Sequence, residues 1–260
     1  MNQERIDRFR LMDNFFMKKF FSGNIEATQL VLRIILGRPD ITVSSLNVES
    51  ELSNFEGHRV VLDIHAKDGS GAEFDVEIQR RKEGASPQRA GYNLSLMHSH
   101  MLPKNTDFDS LKDAYVIFIT ETDTIGDKTP ISVFETMNTI NHKKFDDKRH
   151  IIYVNGAARC HDTELGRLME DFFCQDANQI NYPEIRNKFE YLKNTEEGRL
   201  EFMDYDEELI QEGLLKGAEQ SKLEIARNLI ALGENSLESI SKVTGINIEK
   251  LREMAGQQAV

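Results

Sequence analysis

The chain has 260 residues, a formal net charge of -12, and 39% hydrophobic and 29% charged residues, a balance that suits a globular protein long enough to bury a full core. No apolar run approaches the roughly twenty residues that a membrane span needs, and Met1-Asn2-Gln3-Glu4-Arg5 begins no signal peptide, so the expectation is a cytoplasmic protein without a membrane partner. The acidity argues against a broad phosphate-binding surface, which lysine and arginine would have to build.

Residues 4–22 read as an amphipathic helix, with Phe9, Met12, Phe16 and Phe20 at helical spacing. Asn24 caps a second helix that runs to Leu36 and stops at Gly37 and Pro39. Ile41 to Leu52 is predicted as an edge strand. Two strands follow, Val60–Ala66 and Glu73–Gln79, each apolar at period two, with Asp68-Gly69-Ser70-Gly71 as turn material between them. Val60, Leu62, Ile64, Ala66, Phe74, Val76 and Ile78 are assigned to one face; Asp63, His65, Asp75, Glu77 and Gln79 fall on the other.

Whether those acids meet depends on register. Directly opposed residues of an antiparallel pair share a face, so Asp63 lies beside Asp75 or Glu77 only if the connection has an odd number of residues. A three-residue loop with a left-handed glycine satisfies this, and so does a five-residue loop. Two carboxylates about 5 Å apart at Cβ repel unless they share a hard cation; the plainer reading is a solvated acidic face.

Gln88 to Met101 reads as a helix that puts Arg89 and Tyr92, three apart, on one ridge. Ala114–Thr120 is a near-continuous apolar run, the pattern of a strand covered on both sides, and Ile151–Val154 is a second. Residues 121–149 lack strong periodicity, with Asp123–Asp127 read as a loop. His98 and His100, two apart on a helix, point to different faces and share no ion. Cys160 and Cys174 form no C-x-x-C pair and read as buried reduced thiols. Thr163 caps a helix that ends near Cys174, Pro183 starts another that reaches Lys193, and Leu214–Leu232 reads as one helix. After it, Asn235, Ser236, Gly245 and Asn247 divide the tail into short helices. The Gly245 turn suggests a helix-turn-helix, but Glu249 and Glu253 offset Lys250 and Arg252, so packing or dimerisation suits the tail better than base reading.

Asp63, thirteen intervening residues, then Glu77-Ile78-Gln79 resembles the core of the PD-(D/E)XK nuclease superfamily, with Gln79 where that family usually has lysine. Asp13-Asn14-Phe15-Phe16-Met17-Lys18-Lys19-Phe20 looks like the opening of its transposase-like, recombination-promoting nuclease group, and Arg89-Ala90-Gly91-Tyr92 is similar to that group's Arg-x-x-Tyr helix. Matches continue through Phe118-Ile119-Thr120, His150–Asn155, Leu168–Phe172, Tyr191-Leu192-Lys193 and Glu197-Gly198. The resemblance implies an α/β restriction-endonuclease-like core, with a mixed central sheet flanked by helices, over residues 1–205, and a helical C-terminal extension over 206–260. It further implies a metal-dependent DNA endonuclease linked to recombination or mobile elements. In that reading Asp63 and Glu77 bind Mg2+ or Mn2+, Gln79 completes the catalytic set, Arg89 and Tyr92 contact DNA, and Asp13 or Asp75 assists. The tail helices would carry any homo-oligomer. The competing reading is a nuclease fold that no longer cuts and serves as a binding module, favoured by Gln79 and by the net charge.

Overall fold

The computed structural model describes residues 6–54, 57–233 and 236–258, and the chain divides into two compact units, Met1–Leu200 and Glu201–Val260. In the first, helices α1 (Asn14–Phe21) and α2 (Ile25–Leu36) precede strands β1 (Val43–Ser53), β2 (Arg59–Asp68) and β3 (Glu73–Gln79). Helix α3 (Pro87–Met101), strands β4 (Ala114–Thr120), β5 (Ile131–Glu135) and β6 (Arg149–Asn155), and helices α4 (Glu164–Phe173) and α5 (Pro183–Asn194) follow. The six strands form one sheet in the order β1-β2-β3-β4-β6-β5. Its β3, β4 and β6 are parallel, while β1, β2 and β5 join antiparallel: the mixed sheet that the pattern predicts.

Each element follows from local chemistry. Every residue of β4 is buried, which explains its unbroken apolar run. Helix α3 begins at Pro87, with Ser86 as its cap accepting from the Arg89 N–H, and lays Ala90, Leu94 and Met97 over Val116 and Phe118 of β4. Helices α1 and α2 lie against β1 and β2. Asn24 caps α2 through the Ala27 N–H, and Gly37 ends it at φ 61°. Aromatic contacts join these helices to the next pair: Phe16 meets Phe189 edge-on at 5.2 Å, and Phe21 lies 6.3 Å from Phe172.

The described part of the first helix is shorter than its apolar spacing predicts. Ile6 and Asp7 are helical, residues 8–13 are not, and α1 starts at Asn14, because the backbone groups ahead of it are taken by other partners. The Arg10 N–H donates to the Asp13 carboxylate, and the Met12 N–H to the Phe172 carbonyl. Lys193 Nζ donates to the carbonyls of Asp7, Phe9 and Gln175 at 3.0, 2.6 and 2.7 Å. Strand β5 escapes the sequence reading for a different reason: it is a five-residue edge strand with Val133 and Phe134 largely exposed, so no buried face imposes a period.

Within the second unit, Ala226 of α6 (Glu196–Leu232) packs with Ile240 of α7 (Leu237–Thr244) and Leu251 of α8 (Ile248–Gln258). Ser236 caps α7, Gly245 ends it at φ 72°, and the Asn247 side chain accepts from the Glu249 N–H. Asn235 lies outside the described residues. Helix α6 extends eighteen residues further N-terminally than the apolar pattern of Leu214–Leu232 indicates. Glu, Leu, Met and Gln there are helix formers that need no apolar stripe, and Glu196 and Glu197 favour the start of a helix.

Lys193 is only 2% exposed and lies over the Phe189 ring at 4.4 Å, so replacing it leaves three carbonyls without a donor. Lys193→Met is expected to destabilise the protein by about 3 kcal/mol, read from the midpoint of urea unfolding; an unchanged midpoint would show that the lysine does not organise the N-terminal segment.

Candidate active site

Strands β2 and β3 pair as Lys67↔Glu73, Ala66↔Phe74, His65↔Asp75 and Ile64↔Val76. The hairpin closes through Gly69-Ser70-Gly71: the Asp68 N–H donates to the Ala72 carbonyl, the Gly71 N–H to the Asp68 carbonyl, and Gly71 takes φ 90°. Asp68 Oδ1 stabilises the turn by accepting from the N–H groups of Ser70 and Ala72 and from the Ser70 hydroxyl. An odd connection keeps the odd-numbered residues together. One step further in this register, Asp63 stands opposite Glu77.

At that step the ladder ends. The Ile78 N–H donates to Asp63 Oδ2 at 3.3 Å, a side chain taking the place of a strand carbonyl. Opposite Asp63 on β1, between the pairs Val48↔Ile64 and Ser50↔Leu62, Glu49 has φ 57°, a conformation that breaks the pleat. Simple alternation predicts Leu62 on the face away from the acids. Instead it packs with Val116, Phe118, Ala90 and Leu94, and the β3–β4 register puts Val116 and Phe118 beside Asp75 and Glu77. The backbone therefore reverses its facing around Asp63, whose carboxylate lies in the seam between the strands.

Helix α3 covers the two acids of β3. Glu77 is 0% exposed; its Oε2 accepts from Arg89 Nη2 at 2.5 Å and from Gln79 Nε2 at 3.1 Å. Asp75 is also 0% exposed, and its Oδ2 accepts from Asn93 Nδ2 at 3.1 Å. Arg89 and Asn93 are four apart, on one ridge of the helix. Glu77 Oε1, Asp75 Oδ1 and Asn93 Oδ1 are buried acceptors without a hydrogen-bond partner. Burial pushes the Glu77 pKa up to about 7, with the Asp63 charge adding to it. Burial likewise holds Asp75 well above the carboxylate range, reinforced by Glu77, and raises Asp63 against the Ile78 N–H, which opposes the shift.

An all-oxygen donor set with unmet acceptors fits a hard divalent cation. Among the described residues, no group of three or more histidine, cysteine, aspartate and glutamate side chains forms a ready-made cage. Such a set suits Mg2+ or Mn2+ held by one or two carboxylates, with water and phosphate filling the other positions.

The remaining sequence candidates are distributed around this cluster. Gln79 is held close to Gly84, where a Cβ would lie 2.2 Å from Gln79 Oε1. Arg89 also donates to the Gly84 carbonyl at 2.9 Å. Tyr92 is turned outward, its hydroxyl accepting from Asn54 Nδ2. Asp13 pairs with Arg10 and Arg80, both of which also reach Glu121. His98 and His100 go separately to the carbonyls of Lys148 and Ser53, as their spacing predicts. Cys160 is exposed and Cys174 half-buried, both free, correcting the expectation of two buried thiols. Asn93 is the residue that sequence reasoning misses. Its signal is an asparagine interrupting the apolar stripe Ala90, Leu94, Met97 of α3.

A mixed sheet with acids gathered where a hairpin opens, and an arginine from the following helix placed over them, defines an α/β fold of the restriction-endonuclease-like kind. A family model described as PD-(D/E)XK nuclease family transposase matches residues 11–159, more than half of the chain, and the chain belongs to that family. PD-(D/E)XK nucleases generally use divalent metal ions. Neither a search of curated proteins nor one of solved structures returns a match. Among the described residues, no helix is long and apolar enough to cross a membrane.

The raised Glu77 pKa fixes a sign. As pH rises from 4.5 to 7 the unfolded chain releases this proton before the native one does, so native stability falls across that window. For metal-free protein the loss is expected to be on the order of 3 kcal/mol, measured as unfolding free energy at a series of pH values. Glu77→Gln should make the decline shallower, Asp75 and Asp63 keeping the rest of it; an equally steep decline in that variant would place the proton elsewhere.

Proposed function

We propose that the chain is a metal-dependent endodeoxyribonuclease in which Asp63 and Glu77 hold Mg2+ or Mn2+ and Gln79, Arg89 and Tyr92 serve the substrate, with a role in recombination or mobile elements. The observation that carries this reading is the set of unpaired, buried acceptor oxygens on Glu77, Asp75 and Asn93 beneath Arg89. Leaving a buried acceptor unpaired costs about 1–3 kcal/mol; Asn24 Nδ2 is an isolated unpaired donor at a helix cap, whereas three unpaired acceptors converge here.

When bound, the ion would offset the charge of a scissile phosphate and acidify a nearby water. The chain's own groups supply the positioning. The Ile78 N–H fixes one Asp63 oxygen, so that the other is free to turn toward Glu77. Gln79 carries a donor and an acceptor at neutral pH and no charge; it can orient a water but cannot take its proton. Arg89, 35% exposed at its side chain, has further N–H groups for a phosphate oxygen beside the one on Glu77. Burial raises the Asp75 pKa, and the neighbouring Glu77 charge adds to the shift. We assign residues 1–205 to the nuclease domain and 206–260 to an accessory helical module, through which homo-oligomers would form.

One observation favours a second reading. Arg89 already neutralises Glu77, and with glutamine at position 79 the fold could persist as a binding module that does not cut. Two measurements decide between them. Supercoiled plasmid should be nicked with Mg2+ and left intact with chelator, and Asp63→Ala should slow nicking by about two to three orders of magnitude; undiminished cutting by that variant would defeat the proposal. Calorimetry with Mn2+ should show one site that Glu77→Ala abolishes. Its absence from the unaltered protein would support the binding module.

A further inference from the structure

Resting on the nuclease reading, we propose that the cleft beside Arg89 is a nucleobase subsite that takes one unstacked base next to the scissile phosphate, so that the preferred substrate is DNA with an unpaired nucleotide. The cleft has a volume of about 630 Å3 and is lined by His58, Arg59, Gln88, Arg89, Tyr92 and Asn93, among others. Two of these residues touch the acids directly: Arg89 donates to Glu77 and Asn93 to Asp75. Whatever enters the cleft therefore lies one side chain away from the proposed metal ligands.

Its mouth is aromatic. The rings of His58 and Tyr92 stand 5.2 Å apart at 89°, and both residues are exposed. In a perpendicular pair, the ring that presents its edge keeps both of its own faces clear of that neighbour, an arrangement that suits a flat guest. The pair is built rather than incidental. Asn54 fixes both members, since its Oδ1 accepts from the His58 N–H at 2.9 Å and its Nδ2 donates to the Tyr92 hydroxyl at 3.2 Å. The Asn54 N–H closes the same turn on the His58 carbonyl at 3.0 Å. Rings positioned before the ligand arrives lose little freedom on binding.

Stacked bases of a continuous duplex are sandwiched by their neighbours and cannot reach such a ring; an unpaired or flipped base can. Stacking on an aromatic side chain tolerates any base, so the subsite selects for the structure of the DNA rather than for its sequence. Gln88 adds an amide at the rim, while Arg59 is already engaged by Glu51 at 3.3 Å.

The test measures binding of the full-length protein, in Ca2+ in place of Mg2+, to three fluorescent oligodeoxynucleotides: a single strand, a duplex with one extrahelical nucleotide, and the same duplex without it. The unaltered protein should bind the first two more tightly than the third. Tyr92→Ala should weaken those two about tenfold and by clearly more than the perfect duplex, Tyr92→Phe, which keeps the ring and loses only the Asn54 contact, should lose less, and His58→Ala, on an exposed loop, should lower the affinity in the same direction. Equal losses on all three DNAs, or a preference of the unaltered protein for the perfect duplex, would overturn the subsite. Failure of the unaltered protein to bind any of them would instead overturn the nuclease reading beneath it. Circular dichroism of each variant separates lost stacking from lost folding.

Discussion

The structure is arranged around neighbouring carboxylates withdrawn from water where β2 parts from β3. Asp63 takes the backbone N–H that the ladder no longer uses, Glu77 takes Arg89 and Gln79, and Asp75 takes Asn93. Much of the surrounding backbone serves these contacts. Ser86 and Pro87 start α3 at the point that delivers Arg89 and Asn93 to the same ridge, and Gly84 leaves room for the Gln79 amide. An apolar seam here would fold at least as well, because buried charges seldom stabilise a fold against hydrophobic replacements. Acids placed there at that cost, with raised pKa values, are what the proposed metal-binding role asks for.

Glutamine at position 79 changes where positive charge sits more than whether there is any. A lysine in that slot would place an ammonium beside Glu77. Here the same carboxylate oxygen, Oε2, receives a neutral amide from Gln79 and a guanidinium from Arg89. The cation comes from a helix instead of from the strand, and as a planar fork instead of a point charge. Lys18, held by Glu49 at 2.5 Å, adds a second positive field that favours ionised Asp63. Even so, burial and the Asp63 charge keep the Glu77 pKa raised, and Arg89 offsets that shift only in part.

Much of this was legible in the residues. The glycines of Asp68-Gly69-Ser70-Gly71 suited an odd connection of three or five residues; the three-residue one forms, and it sets the register that brings Asp63 opposite Glu77. The caps Asn24, Thr163, Ser236 and Gly245 marked helix ends that hold to the residue. What stayed hidden depended on partners distant in sequence. The segment before Asn14 has helical spacing, but Lys193 and Phe172 claim its backbone. The change of facing around Asp63 lies opposite a left-handed residue of β1, Glu49, and glutamate gives no warning of positive φ. Asn93 was visible only as a polar break in an apolar stripe, a signal that acquires meaning once Asp75 is known to lie beneath it.

The net charge of -12 stands against a polyanionic substrate until its location is considered. Nine acidic residues against two basic ones fall between Glu196 and Glu219, mostly within the second unit. Beside the acid cluster the sequence runs Arg80-Arg81-Lys82, all exposed. Arg80 is held by Asp13 and Glu121, which fixes its position more than it removes its field. Exposed charges farther apart than about 10 Å are largely screened at ordinary ionic strength. In the proposed site a phosphate responds first to the charges within that range, Arg89 and Glu77 among them, and to any ion that Asp63 and Glu77 would hold. Local charge decides at this range, and there the balance is one that a phosphodiester can meet.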